Sequence, residues 1–212
     1  MPNWCNNNIT ISGDEGTIRT LTAVLKSIKT SDEEQSNNVF QSLIGLPQHM
    51  SDGDYKEKWY DTNIEWFGTK WDISYSEDMF TFTKGEISFF CETAWSPPIP
   101  FLQRLCEMYK VNANLFYSEG GVGFSGESTF NWVDGELEVY DDECGYLEGI
   151  YKYSREEFWS EVESRVDCIL DEEQTLEDFI SEFDFVSEED KEELTRLYNE
   201  TIKENDEESE GE

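Results

Sequence analysis

Hydrophobic and polar residues alternate along the first two thirds of the chain with the two periods that distinguish strands from helices. Ile9 and Ile11 alternate with polar neighbours in a short strand that Gly13 closes. Residues 15–29 place apolar side chains at every third or fourth position, which predicts an amphipathic helix. The later pattern predicts an apolar segment at 39–46, a helix at 54–67, strands at 71–75, 79–83 and 86–93, a helix at 99–110 and a strand at 111–117.

A turn signal follows these elements. Asp134-Gly135 separates two strand-like stretches and is typical of a two-residue hairpin. The predicted order is therefore strand, helix, insertion, two strands, helix, strand and hairpin. This order favours an α+β fold in which helices cover one face of an antiparallel, ferredoxin-like sheet. We expect residues 1–143 to form this domain.

The last part of the chain has a helical pattern. Ser154, Thr175 and Ser187 are each followed three positions later by an acidic residue, which resembles the capping box at a helix start. Apolar side chains recur on one side of each predicted helix, so these helices need a core to pack into. We expect an acidic helical subdomain over residues 144–204 and a disordered acidic tail over 205–212.

The net charge limits the possible functions of the chain more than any motif does. The chain has 49 acidic and 15 basic residues and a formal net charge of −34, and residues 134–212 contain 31 of the acids and 6 of the bases. Such a chain repels phosphate, so direct binding to nucleic acid is not expected. The same charge presents a polyanion to a basic partner.

Composition indicates a folded protein in a reducing compartment. Aromatic residues make up 15% of the chain, which is too many for a disordered acidic protein. The five cysteines are scattered and form no C-x-x-C pair, which is typical of reduced thiols in a cytosol. We expect a cytoplasmic protein with no signal peptide and no membrane span.

Catalytic, metal and cofactor motifs are weak. The single histidine, His49, lies beside Pro47 in a predicted loop, and an ordinary surface role is favoured. Gly121 to Gly126 match G-x-G-x-x-G, but the following residues have the pattern of a strand, so a close approach of backbones is favoured over a phosphate site. We expect no catalytic residue, no metal site and no cofactor.

Three segments together resemble a known family. They are MPNWCNN at residues 1–7 with ITISG at 9–13, WYD at 59–61 through FGTKWD at 67–72, and TAWSPPIP at 93–100, and YSEGGVGFSG at 117–126 follows them. The chain thereby resembles the YubB-type ferredoxin-like family of plasmid and bacteriophage proteins over about residues 2–140. The resemblance implies the fold expected above and a mobile-genetic-element origin, but no enzymatic activity or ligand. The helices after about residue 144 are interpreted as an addition to the family pattern.

The residues that carry this resemblance have two interpretations. One is a shared recognition surface or pocket, and the other is a set of structural anchors in which tryptophan rings fill the core. The anchor interpretation is favoured, and core packing is also expected for most rings between Trp59 and Trp71. The candidate pocket or anchor residues are Asn3, Trp4, Trp71, Trp95 and Ser96.

The leading hypothesis is a non-catalytic counter-defence protein that occupies the basic nucleic-acid channel of a host enzyme or effector complex. Its candidate partner-binding carboxylates are those of Glu156, Glu157, Glu161, Glu163, Asp167, Asp171, Glu172 and Glu173. One alternative is a protein or enzyme that binds a nucleotide-like small molecule in an aromatic pocket on the sheet. Another is an acidic structural or assembly protein of a virus.

Overall fold

The computed structural model describes residues 3–28, 38–169 and 175–209, without the side chains of residues 165, 167–169 and 204–209. The chain divides into two units, Met1–Cys144 and Gly145–Glu212, which are called the first and the second unit below. This division lies one residue after the end of the domain predicted over residues 1–143. Each unit has a hydrophobic core of its own.

The first unit consists of one antiparallel sheet with helices. Its elements are β1 (Trp4–Ser12), α1 (Glu15–Ser27), α2 (Val39–Ile44), α3 (Asp52–Phe67), a 3-10 turn (Glu77–Met79), β2 (Phe80–Phe82), β3 (Glu86–Ala94), α4 (Ile99–Tyr109), β4 (Asn112–Glu119), β5 (Phe124–Val133) and β6 (Glu136–Gly145). The strand order is β2-β3-β1-β4-β5-β6. The first four of these strands, with α1 and α4, have the order of a ferredoxin-like fold, so the predicted α+β fold class is confirmed.

The core lies on one face of the sheet. On the central strand β1, Ile9 pairs with Phe89 of β3 and Leu115 of β4, and all three side chains are buried. Leu21 of α1 and Leu105 of α4 are fully buried in the same core. Successive strand residues point to opposite faces, so the alternating pattern of the sequence decides which residues face these helices.

One of the predicted strands, at residues 71–75, does not form. Residues 71–75 form only an isolated bridge between Asn38 and Ser74. The reason is that this segment is engaged by α2: the Ile73 carbonyl accepts from the Val39 N–H at 3.0 Å, and Asp72 binds two further amides of the helix. The segment therefore satisfies the N-terminus of a helix instead of extending a strand ladder.

The two turns singled out in the sequence are both hairpin connections. Asp134 and Gly135 have φ values of 53° and 89°, as the predicted two-residue turn between β5 and β6 requires. The glycine-rich segment joins β4 to β5, and the Glu119 carboxylate accepts from the Gly121 and Val122 amides. A strand follows this turn, so it does not present a helix N-terminus to a phosphate.

The second unit is helical. Its helices are α5 (Tyr146–Tyr153), α6 (Arg155–Ile169), α7 (Leu176–Ser181) and α8 (Glu188–Ser209). All three predicted helix starts are confirmed, because the hydroxyls of Ser154, Thr175 and Ser187 each accept from the amide three residues on. The core of this unit is Ile150, Phe158, Val162, Val166, Phe179, Phe183, Val186, Leu194 and Tyr198.

The last helix is longer than expected. α8 is helical through Ser209, so it includes residues 205–209 of the predicted disordered tail, and residues 210–212 lie outside the described part of the chain. An established helix gains one backbone hydrogen bond for each residue it adds, and glutamate is a good helix former. These two effects extend α8 beyond Ile202, the last of its apolar side chains that pack against the core.

Candidate functional site

Several aromatic rings that were expected in the core lie on the surface of the first unit. Trp4 is 47% exposed, Trp71 is 38% exposed and Trp95 is 40% exposed. Trp59 and Tyr60 are exposed to a similar degree. The prediction that these rings fill the core is therefore wrong. We call these five residues the aromatic strip.

The contacts between the rings make the strip continuous. The centroids of Trp4 and Trp71 are 6.0 Å apart, those of Tyr60 and Trp95 are 6.2 Å apart, and those of Trp59 and Tyr60 are 5.8 Å apart. The Lys70 ammonium group joins the two halves, because it lies 4.4 Å from the Trp71 centroid and 4.8 Å from the Trp95 centroid. Both distances are within the range of a cation–π interaction.

The local backbone explains why these rings are exposed. Trp4 alternates with the buried Cys5 along β1 and so lies on the opposite face of the sheet. Trp95 follows the buried Ala94 and has a φ of 75°, a conformation that costs a bulky residue about 1–3 kcal/mol. The Trp95 amide donates to the Asn3 carbonyl at 2.9 Å, which holds this conformation.

Two more hydrogen bonds hold the backbone segments that carry the aromatic strip. The Ser96 hydroxyl donates to the Gly68 carbonyl at 2.6 Å, and the Thr69 hydroxyl donates to the Ala94 carbonyl at 3.1 Å. These bonds tie the end of β3 to the segment that leads into Lys70 and Trp71. Of the five candidate pocket or anchor residues, the three tryptophans therefore form the surface, whereas Asn3 and Ser96 hold the backbone that presents it.

Two depressions border the strip. The larger has a volume of about 580 Å³ and includes Trp59, Trp71, Asp52 and Asp72 in its lining. The smaller has a volume of about 310 Å³, and its lining includes Trp4, Trp71 and the exposed carboxylate of Glu92. The larger lining also includes Lys56, whereas the charged groups of the smaller lining are the carboxylates of Asp72 and Glu92. The smaller depression is therefore unfavourable for phosphates and favourable for positively charged groups.

Asp72 is the most perturbed carboxylate at this surface. Its oxygens accept from the amides of Phe40, Gln41 and Ile73 at 2.7–2.8 Å. Burial raises the pKa of Asp72 to about 6, and the amide donors oppose this shift without cancelling it. The carboxylate holds the N-terminus of α2 beside the larger depression.

The pH dependence of stability should report this shift. A pKa above the unfolded value means that the folded state binds more protons, so the Asp72 contribution to the free energy of unfolding falls as pH rises from about 4 to 6. Between pH 5 and 7.5 the expected fall is about 1 kcal/mol. Urea denaturation across this range measures it, and Asp72→Asn is the control for the effect of net charge. Parallel pH profiles for the two proteins would contradict the assignment.

The predicted acidic surface belongs to the second unit. Glu156, Glu157 and Glu163 are exposed on α6, and Glu161 on the same helix is half-buried. Asp167 lies on α6, but its side chain is outside the described part of the structure. Residues 171–173, which include the other three predicted carboxylates, lie outside the described residues altogether.

Basic side chains of the second unit are engaged by its own carboxylates. Lys152 pairs with Glu148 at 2.8 Å and Lys191 pairs with Glu188 at 2.9 Å. Arg155 pairs with Asp190. Arg196 pairs with Glu193 and also with Glu200, the latter at 3.0 Å. A groove between α6 and α8 is lined by Glu163, Glu189 and Glu192 beside Arg196.

Three of the cysteines, Cys5, Cys91 and Cys106, have the properties of buried structural thiols. Burial raises the pKa of Cys5 and of Cys106 to about 12, and it raises the pKa of Cys91 further. At neutral pH these thiols are protonated and poorly nucleophilic. In the described ranges, no three His, Cys, Asp or Glu side chains converge as metal ligands would, and no helix has the length and apolar character of a membrane span.

Sequence patterns missed three contributors to the surface. Lys70 lies directly before the strand predicted over residues 71–75, and Asp72 lies within it. Glu92 lies on β3, whose alternating apolar residues predict only the face that is buried. Glu92 could have been found, because it alternates with the buried Cys91 and Thr93 and so must point away from the core. The position of Lys70 between two tryptophans depends on contacts between distant segments.

The fold and the surface define a protein with a ferredoxin-like α+β sheet, an exposed aromatic strip and an acidic helical unit. The chain belongs to the family described as "ferredoxin-like domain in Api92-like protein", whose sequence model matches residues 70–199. This match extends through most of the second unit, so its helices are part of the family's domain and not an addition to it.

The chain is similar to a solved structure, the crystal structure of protein api92 from Yersinia pseudotuberculosis. It shares 9% sequence identity, covers 69% of this chain and 98% of its own, and has a TM-score of 0.37. No curated protein matches the sequence.

Proposed function

We propose that this protein is a non-catalytic inhibitor whose acidic second unit occupies the basic nucleic-acid channel of a host enzyme or defence complex. The resemblance to the YubB-type family of plasmid and bacteriophage proteins supports a mobile-element origin and action in the cytosol of a bacterial host. That origin favours a counter-defence role, because such elements are the targets of host nucleases and effector complexes.

The observation that carries the proposal is the excess of exposed carboxylates on the second unit. Residues 145–212 contain 25 acidic and 6 basic residues, a net charge of −19. Four of the six bases are paired within the unit, so they are not available to attract phosphate. A basic channel would be drawn to such a surface over long range, and the association would weaken as salt rises.

The spacing of carboxylates on α6 supports mimicry of a nucleic acid. Glu156 to Asp167 include five acids over twelve residues, about one per 3.6 Å at a rise of roughly 1.5 Å per residue. Phosphates of one DNA strand recur about every 3.4 Å along the axis. The two spacings along the axis are similar, although helical side chains point in several directions.

The test begins with capture from a bacterial host lysate. Immobilised protein should retain nucleic-acid-binding enzymes at low salt, release them at high salt and lose them to added duplex DNA. The association rate with the captured enzyme is then measured for the triple variant Glu156→Gln, Glu157→Gln and Glu163→Gln. Each exposed ion pair contributes about 0.2–1 kcal/mol, so we expect this rate to fall about tenfold.

The matched control removes three charges from exposed residues of β6, through Glu136→Gln, Glu138→Gln and Glu143→Gln. Circular dichroism of both variants checks that they fold. A smaller loss of rate in the control assigns the partner surface to α6. Equal losses of association rate in the two variants would show that the effect comes from net charge and not from the position of the carboxylates on α6. An unchanged rate in the α6 variant would contradict the proposal.

A second candidate function is the binding of a small, nucleotide-like molecule at the aromatic strip. The exposed tryptophans and the 580 Å³ depression beside Trp59 favour it. The polar groups there already bind one another, because Tyr55 donates to Asn63 and Asn63 donates to the Lys70 carbonyl. Mass spectrometry of small molecules released from the purified protein would distinguish this function, since an inhibitor of the proposed kind should release none.

A further inference from the structure

We infer that the smaller depression, between Trp4, Trp71 and Glu92, is a binding site for an arginine side chain of a basic partner protein. The inference rests on the proposed function only in taking the partner to be basic. It assigns a second contact point to the first unit, separate from the carboxylates of α6.

The two tryptophans provide aromatic walls. Their centroids are 6.0 Å apart and their planes are inclined by 38°, and both rings line the depression of about 310 Å³. Each ring is more than a third exposed. Exposed tryptophans of this kind are enriched among the residues that dominate the energy of protein interfaces.

The chain itself shows that the Trp71 ring accepts a cation. The Lys70 ammonium group lies 4.4 Å from the Trp71 centroid. A cation over a tryptophan face is attracted by the negative potential of the ring, and the attraction strengthens when water is excluded. A second cation from a partner would meet the same chemistry on Trp4, whose described aromatic neighbour is Trp71.

Glu92 supplies the charge that selects the ligand. Its side chain is exposed in the lining of the depression, and within the described ranges it forms no ion pair. A carboxylate beside two aromatic rings disfavours a phosphate or another anion. It favours a guanidinium group, which can stack its flat face on a ring and bind the carboxylate with two parallel N–H groups. A lysine ammonium group is attracted to the ring and to the carboxylate as a point charge, but it has neither the flat face nor the parallel pair of donors.

The site can be tested without a known partner. The full chain, labelled with ¹⁵N, is titrated with N-acetyl-arginine amide while the indole N–H resonances are followed by NMR. Trp4→Phe and Trp71→Phe assign the two relevant resonances. We expect both to shift and saturate, while the resonance of Trp132, whose indole N–H donates to the Cys106 carbonyl at 3.0 Å, stays in place.

Two comparisons make the result specific. N-acetyl-lysine amide at the same ionic strength should bind at least threefold more weakly. Glu92→Gln should weaken arginine binding at least fivefold, whereas Glu138→Gln on the exposed strand β6 should leave it unchanged. Unsaturable shifts of all indoles alike, equal binding of the lysine compound, or no effect of Glu92→Gln would each overturn the inference.

The outcomes separate this site from the proposed function. If arginine binding fails while the α6 variant still slows association with a captured enzyme, the arginine site is wrong and the acidic inhibitor stands. If arginine binding succeeds while no basic enzyme is captured, the site stands and the inhibitor is wrong.

Discussion

Replacing Asp190 with alanine should unfold the second unit at temperatures at which the first unit stays folded. The Asp190 carboxylate is buried and accepts from the Tyr151 hydroxyl at 2.5 Å and the Ser187 hydroxyl at 2.7 Å. It also pairs with Arg155. One carboxylate thus connects α5, the start of α6 and the start of α8.

The size of the effect follows from what the substitution leaves behind. Removing the buried carboxylate leaves the Tyr151 and Ser187 hydroxyls without their acceptor and the half-exposed Arg155 without its partner, which together cost about 2–4 kcal/mol. A unit of this size has a total stability of the same order. Thermal unfolding followed by circular dichroism should show helical signal lost in a separate early transition. Asp184→Ala, at an exposed acid of the same unit, is the control and should leave the profile unchanged.

The contributions of Asp190 and Asp72 to stability should respond to acid in opposite directions. Burial acts to raise the pKa of Asp190, but the hydrogen bonds from Ser187 and Tyr151 and the charge of Arg155 outweigh it and lower the pKa. A lowered folded pKa means that the Asp190 contribution is lost as pH falls below about 4. The Asp72 contribution in the first unit, by contrast, is largest at low pH.

Gly126→Ala should strongly destabilise the first unit. A β-carbon at residue 126 would lie 2.4 Å from the Tyr117 hydroxyl oxygen and 2.7 Å from the Asp142 carbonyl oxygen. Tyr117 is fully buried and its hydroxyl donates to Asp141, so the ring has no free space to enter. Overpacking of this kind costs about 3 kcal/mol, or roughly 10 °C in Tm.

The same substitution at Gly53 provides the control. Gly53 lies in the first turn of α3, and a β-carbon there would approach only the Ser51 hydroxyl, at 3.7 Å. Alanine is favoured over glycine in a helix, so Gly53→Ala should raise stability by up to about 1 kcal/mol. Urea denaturation of both variants measures the difference, and similar stabilities for the two would show that strands β4, β5 and β6 tolerate a β-carbon at residue 126.

Sequence patterns did not predict correctly whether the tryptophans of the aromatic strip are buried. A tryptophan in a strand-like or turn-like segment is usually buried, because its large apolar ring gains from leaving water. Trp4, Trp71 and Trp95 depart from this rule together, and at Trp95 the backbone adopts a costly conformation as well. Such a group of departures is more informative about function than any one of them, because strained and exposed residues persist mainly where they serve binding.

Local patterns by themselves determined the elements and the fold class of this protein. The strand of Ile9 and Ile11, the helix after Asp14, the Asp134-Gly135 hairpin and the three capped helices of the second unit all follow from periodicity, capping and turn chemistry within a few residues. The net charge and its concentration in the last third are also properties of the sequence alone.

Only the tertiary structure decided the candidate site. Residues 71–75 have the pattern of a strand, but long-range contacts with α2 give them another role. Lys70 reaches Trp95, and Trp71 reaches Trp4, because β1, β3 and the segment after α3 converge at one end of the sheet. A local pattern indicates which face a residue prefers, but it has no information on which distant segment lies beside it. That information arises only when the strands pair.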